Sequence, residues 1–384
     1  MTPFMDVQSF LNLSASLNYQ LSGNPVNWHA VIVLAFGDRY RFGPDEVLLD
    51  ALQYLHEAYG QSKRRLGPFS VLHPIRAASL LSRTMESLPL LDILTALFHD
   101  KKEDLTADTN PEKWSALEES FQSLGRRISP TDNWFLNERI DVLTRRPEDR
   151  YYTYLARLLE RGIGTPELIR VKLADRLDNT LDLRIDLQDQ AAHLPCAEVV
   201  FDTLFTQGNA SQRFHLPHPV TGRLNGAVRL YQLFKNAVLL SLLRRTDLDR
   251  IDSQSEKLFS AVAATSLAEA QRILMHLFVY HVKDLQVQRQ LLLDVMGYCQ
   301  AGAINRVTTP EEPHRLDGLL KYRFDHPDRN LLKERLAGLY EDKSLMAEVA
   351  IAFSAVFSSF LNDPGFRIRG IDLDGIHATD AEDA

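Results

Sequence analysis

The sequence predicts an all-α protein on three observations. Apolar residues recur at helical spacing in segment after segment. Prolines such as Pro44, Pro74 and Pro89 stand where helices would begin, and glycines such as Gly60, Gly162 and Gly164 where they would stop or break. No repeat of fixed period runs through the 384 residues.

That length has room for one large or two ordinary domains. Hydrophobic content of 45% and charged content of 24% are those of a soluble globular protein. A net charge of −8 argues against general nucleic-acid binding and against a membrane surface, because neither favours an acidic partner. Cys196 and Cys299 are too few for a disulfide framework or a cysteine zinc site, so a reducing compartment is expected. The opening MTPFMDVQSF lacks the basic start and apolar core of a signal peptide. The Ala30–Phe36 run is far short of the ~20 residues that span a bilayer. The expected location is the cytoplasm.

Residues 1–43 read as an N-terminal extension, with a polar opening and then Ala30–Phe36, either a short strand or a buried helix segment. A helix follows Pro44, with Val47, Leu48, Ala51, Tyr54 and Leu55 on its apolar face and Gly60 as its stop. The basic loop QSKRRLGPF leads to Val71-Leu72-His73-Pro74 and a second helix. Pro89 opens a third, read as continuous through LLDILTALFHDKKEDL. A loop at Asp108–Pro111, a helix over Glu112–Leu124 and a polar break at Ser129–Asn133 come next. Helical stretches at Glu138–Leu143 and Tyr151–Arg161 precede the long amphipathic segment ELIRVKLADRLDNTLDLRIDL. The glycine- and proline-bearing stretch Gln207–Gly226 is the expected domain boundary. A first domain over 44–206 and a helical C-terminal domain over 207–369 are thus expected. The acidic tail 370–384 reads as frayed.

The chemistry is concentrated between residues 56 and 182. His99 and Asp100 are neighbours, so on one helix they diverge by about 100° and can share an ion only near a helix end. Glu103 and Asp104 lie one turn further along the same face. Asp175 is flanked by Leu173, Ala174 and Leu177, which holds its carboxylate close to the core. Singly, each segment also fits something ordinary: a solvated helix end, an Asp175 paired with Arg170 or Arg176, a structural His73. Together, His73, His99, Asp100 and Asp175 are two imidazoles and two carboxylates, a donor set for a divalent first-row metal. Such an ion can generate hydroxide near neutral pH and polarise a phosphoryl oxygen.

From about His56 to Leu183 the chain resembles the hydrolase domain of the RelA/SpoT-type family, whose members hydrolyse the alarmone (p)ppGpp at its 3′-pyrophosphate. The resemblance rests on HEAYGQ at 56–61, Arg64 and Gly67, HPIRAA at 73–78, HDKKED at 99–104 and VKLADRLDN at 171–179. It implies a helical HD fold with Mn²⁺, or another divalent metal, held by His73, His99, Asp100 and Asp175. It also implies that Glu103 and Asp104 serve the attacking water, that Arg64 binds the substrate's phosphates or base, and that Asn179 contacts the ribose or supports the ligands. Lys63 adds positive charge beside Arg64 for a phosphate-rich substrate.

The chain departs from the family pattern at three places. Lys101-Lys102 replace an apolar or small pair, Asp178 stands where histidine is common, and Pro68-Phe69 come one place early. The lysine pair is expected to alter substrate preference or metal geometry, and the shifted Pro68-Phe69 argues against the family's base stacking there. The expected function is release of pyrophosphate from (p)ppGpp or a related nucleotide. The alternatives are an HD phosphohydrolase for another phosphoester and a nucleotide-sensing regulatory protein. The expected partner is a phosphorylated nucleotide, and the C-terminal helices are open to a second copy of the chain or a regulator. His276 and His281, and likewise His215 and His218, read as ordinary core, surface or loop residues.

Overall fold

The computed structural model describes residues 5–37, 45–60, 62–63, 68–87, 89–183, 194–205, 226–301, 303–308 and 314–377. The fold is all-α: among the described residues there are sixteen α-helices, and strands occur only as one short hairpin. The chain divides into two compact units. One comprises Met1–Ile185 with Asp247–Ala261, the other Asp186–Thr246 with Val262–Ala384.

The first unit begins with α1 (Val7–Leu21), whose N-terminus is capped by Asp6 accepting the Ser9 N–H at 2.8 Å. Helix α2 (Trp28–Phe36) is capped in the same way by Asn27. This settles the Ala30–Phe36 run as helix. Then come α3 (Asp45–Tyr59), α4 (Leu72–Ser82), α5 (Leu90–Phe98) and the single turn α6 (Lys101–Asp104). Helices α7 (Trp114–Arg126), α8 (Pro130–Leu143), α9 (Tyr151–Gly162) and α10 (Pro166–Asp182) complete the series.

Every residue of α4 is buried, because α1, α2, α5 and α10 all pack on it. Helix α10 is buried on almost every side from Leu168 to Asp182. A helix so enclosed is normally apolar all round, yet α10 carries Asp175, Arg176, Asp178 and Asp182 inside. Buried charges persist only where they are paired or ligated, and at the α4–α10 contact Arg76 pairs with Asp178 and Asp182.

Two sequence-based expectations are revised. The segment after Pro89 is two helices, because the chain turns at His99 and Asp100. The polar break at Ser129–Asn133 is instead the start of α8, with Ser129 as cap accepting the Asp132 N–H at 3.0 Å. Gly162, expected as a break, is the last residue of α9, and a Cβ there would lie 2.5 Å from Ile169 Cδ1.

In the second unit, α11 (Cys196–Phe205) packs on α14 (Leu285–Gln300), and α12 (Gly226–Arg245) on α15 (Arg329–Glu341) and α16 (Lys343–Asn362). Helix α13 (Ser253–Tyr280) begins in the first unit and continues into the second. Phe234, Phe324, Phe353, Phe357 and Phe360 form a chain of ring contacts through this core. Helix α16 has the length and apolarity of a membrane span, but 67% of that stretch is buried inside the protein. Of the tail expected to fray, the described part forms an antiparallel hairpin, β1 (Ile371–Asp372) with β2 (Gly375–Ile376), and residues 378–384 lie outside the described residues. The Arg245 guanidinium donates to the Ile371 carbonyl at 3.3 Å. Of the Gln207–Gly226 stretch, residues 207–225 lie outside the described residues, as do His215 and His218. His276 is buried, and its ring lies 5.5 Å from that of His281.

The enclosure of α4 has a direct consequence. Leu80→Ala, at a fully buried position, should cost about 2–5 kcal/mol in chemical denaturation. A loss within experimental error would contradict the packing.

Candidate metal centre

His73 comes from the second position of α4, His99 and Asp100 from the turn between α5 and α6, and Asp175 from the middle of α10. The turn resolves the difficulty of two neighbouring ligands. His99 keeps helical angles (φ −57°, ψ −35°), whereas Asp100 opens to φ −98°, ψ 6°, the sparsely populated bridge region. Both side chains then reach the same point.

The distances define a tight cluster. His73 Nε2 lies 3.1 Å from Asp100 Oδ2, 3.3 Å from Asp175 Oδ1 and 3.3 Å from His99 Nε2. His99 Nε2 lies 3.2 Å from Asp100 Oδ2 and 3.7 Å from Asp175 Oδ1. His73, His99 and Asp175 are buried, and Asp100 is the most open of the four.

The other ring nitrogens identify the tautomers. His99 Nδ1 is 2.8 Å from the Ala96 carbonyl, and His73 Nδ1 is 2.6 Å from Asp178 Oδ2. A carbonyl and a carboxylate only accept, so each Nδ1 carries a proton, and a ring that is neutral turns an Nε2 lone pair inward. In that state both Nε2 atoms face Asp100 and Asp175 as acceptors. Among the described contacts Arg76 pairs with Asp178 and Asp182, and Lys172 with Asp175.

Without a metal, protons must supply positive charge to the cluster. Burial alone would lower the His99 pKa, but Asp100 and then Asp175 outweigh it and raise the ring to about 10. Burial likewise opposes ionisation of Asp100 and Asp175. The charge and contacts of His99 and His73 nevertheless hold Asp100 well below its ordinary range, and Lys172 with the two histidines does so for Asp175.

The remaining predicted residues divide. Asp104 Oδ2 accepts the Tyr59 hydroxyl at 2.9 Å, and Glu103 Oε1 accepts the Arg145 backbone N–H at 2.6 Å. Solvent reaches both carboxylates. The surrounding protein raises their pKa values first and the nearby Asp100 charge adds to it, which favours proton uptake. Asn179 donates to Asp175 Oδ1 at 2.5 Å and to the Asp175 carbonyl at 3.1 Å, so in this structure it steadies a ligand. Lys63 is exposed and bridged through its backbone to Phe69, and the Ser70 N–H donates to the Ser62 carbonyl at 2.8 Å. Arg64 lies outside the described residues.

Lys101 and Lys102 are occupied elsewhere. Lys101 Nζ donates to Glu118 at 2.6 Å and lies over the Phe121 ring, and Lys102 pairs with Asp141. The sequence reading missed Tyr59, Arg76, Lys172 and, as a support for His73, Asp178. Lys172 Nζ lies 2.8 Å from Asp175 Oδ2. Its spacing, three residues before Asp175, was the available signal.

The His99 shift gives a pH prediction. A group raised in the folded state adds stability that is complete below its unfolded value of 6.5 and is lost as pH rises through about 10. Chelator-treated protein should therefore lose thermal stability across that window, and a divalent metal should restore it. A flat metal-free profile in scanning calorimetry would contradict the proton-filled cluster. No family model, curated protein or solved structure matches this chain, so the chemistry of the centre rests on its own donor set.

Proposed function

We propose that the chain is a metal-dependent phosphohydrolase of the kind its motifs resemble, releasing pyrophosphate from the 3′ position of (p)ppGpp or a related nucleotide. The observation that carries this reading is the cluster of His73, His99, Asp100 and Asp175 with two carboxylates of raised pKa beside it. A divalent ion, Mn²⁺ in the resembling family, would supply Lewis acidity and acidify a water.

The chain's own groups supply the rest. Glu103 and Asp104, held by the Arg145 N–H and the Tyr59 hydroxyl, orient the attacking water and take its proton. The water oxygen bonds to the phosphorus attached to O3′, the P–O3′ bond breaks, and the 3′ oxygen leaves with a proton. Lys63 and Arg64, on the loop that follows Tyr59 in sequence, bind phosphate oxygens as charge partners.

The test is turnover of ppGpp with and without Mn²⁺, followed by anion-exchange chromatography. GDP and pyrophosphate should form only with metal. Glu103→Gln should keep the metal and lose turnover by about 10²–10⁴-fold, the usual worth of a general base. Metal-loaded protein that turns over a different phosphoester would shift the substrate, and one that turns over none would leave a nucleotide sensor.

A further inference from the structure

We propose that Asp178, anchored by Arg76, is the positioning residue of the metal centre, fixing the tautomer and plane of the His73 ring so that Nε2 faces the donor cluster. The proposal rests on the cluster being a metal centre and on nothing about its substrate.

The geometry is a relay through the core. Asp178 Oδ2 accepts from His73 Nδ1 at 2.6 Å, and Asp178 Oδ1 accepts from Arg76 Nε at 2.8 Å. Arg76 Nη2 reaches Asp178 Oδ2 at 3.1 Å and Asp182 Oδ1 at 2.7 Å. Both Asp178 and Arg76 have no exposure to solvent. Helix α1 closes the far side: Ser14 Oγ accepts from Arg76 Nη1 at 3.2 Å, and the guanidinium carbon lies 4.9 Å from the centre of the Phe10 ring.

Contact and distance separate positioning from simple ion pairing. Asp178 and Asp182 both meet Arg76, and among the described contacts Asp178 is the one of the two that also meets His73. Its shortest contact is to the histidine, not to the arginine. A carboxylate behind a ligating histidine fixes its tautomer and makes the opposite nitrogen a better donor. Arg76 in turn denies the carboxylate any rotation, because it grips both oxygens. The position where the resembling family commonly carries histidine therefore holds an anionic support here, matched by a guanidinium three residues after His73.

Three measurements on the full chain test this. Chelator-stripped wild type is titrated with Mn²⁺ by calorimetry, alongside Asp178→Asn and Asp182→Asn. Both substitutions should lower thermal stability, since both weaken the hold on Arg76. Only Asp178→Asn should weaken Mn²⁺ binding, by about 10–100-fold. Equal losses of affinity in the two variants, or none in Asp178→Asn, would overturn the proposal. Nitrogen NMR of ¹⁵N-histidine protein loaded with diamagnetic Zn²⁺ needs no variant: His73 should show a protonated, slowly exchanging Nδ1. A His73 proton on Nε2 would overturn it even if Asp178→Asn does not fold. Wild type that binds no Mn²⁺ would instead refute the metal centre itself.

Discussion

Two imidazole Nε2 atoms and two carboxylates meeting in a buried space, with the opposite face of each ring already committed, is the constraint on which the rest of the first unit depends. His73 and His99 each spend Nδ1 on an acceptor, so both Nε2 atoms point inward at Asp100 and Asp175. The carboxylates there require positive charge, carried by the rings as protons or by a cation that a neutral pair could hold. The same demand explains why α10 is enclosed on nearly all sides and still carries carboxylates, with Lys172 and Arg76 holding the outer partners.

The fold meets the demand with few devices. Helix α4, wholly buried, fixes His73 against α10. The turn between α5 and α6 brings two adjacent residues to one point, a placement that a continuous helix forbids. The carboxylates beyond it are tied at both sides, Asp104 by Tyr59 and Glu103 by the Arg145 backbone. They stay in reach of solvent.

The candidate ligands were legible in the sequence because metal chemistry restricts residue type; His73, His99 and Asp175 come together as a possible metal group, and Asp100 lies against both histidines. The helical class was legible because apolar spacing reports it directly. The break at His99–Asp100 was not, since HDKKED has the polarity of an ordinary helix end and its interruption is a tertiary effect. Asp178 was visible only as a departure from a familiar motif, and its role needed the arginine that stands far away in sequence. Helix α1 was hidden in a polar opening, although Phe10 and Ser14 turn out to face Arg76. The tail hairpin was obscured by its acidic composition, because the contact with Arg245 cannot be inferred locally. Lys101 and Lys102, a departure from the family pattern, pair with Glu118 and Asp141.

The measurement that bears most directly on this account is anomalous diffraction from crystals of the protein soaked in Mn²⁺. The account predicts one strong peak within bonding distance of His73 Nε2, His99 Nε2, Asp100 Oδ2 and Asp175 Oδ1. A saturating soak that leaves those four atoms without a peak, or that places the metal elsewhere, would contradict it.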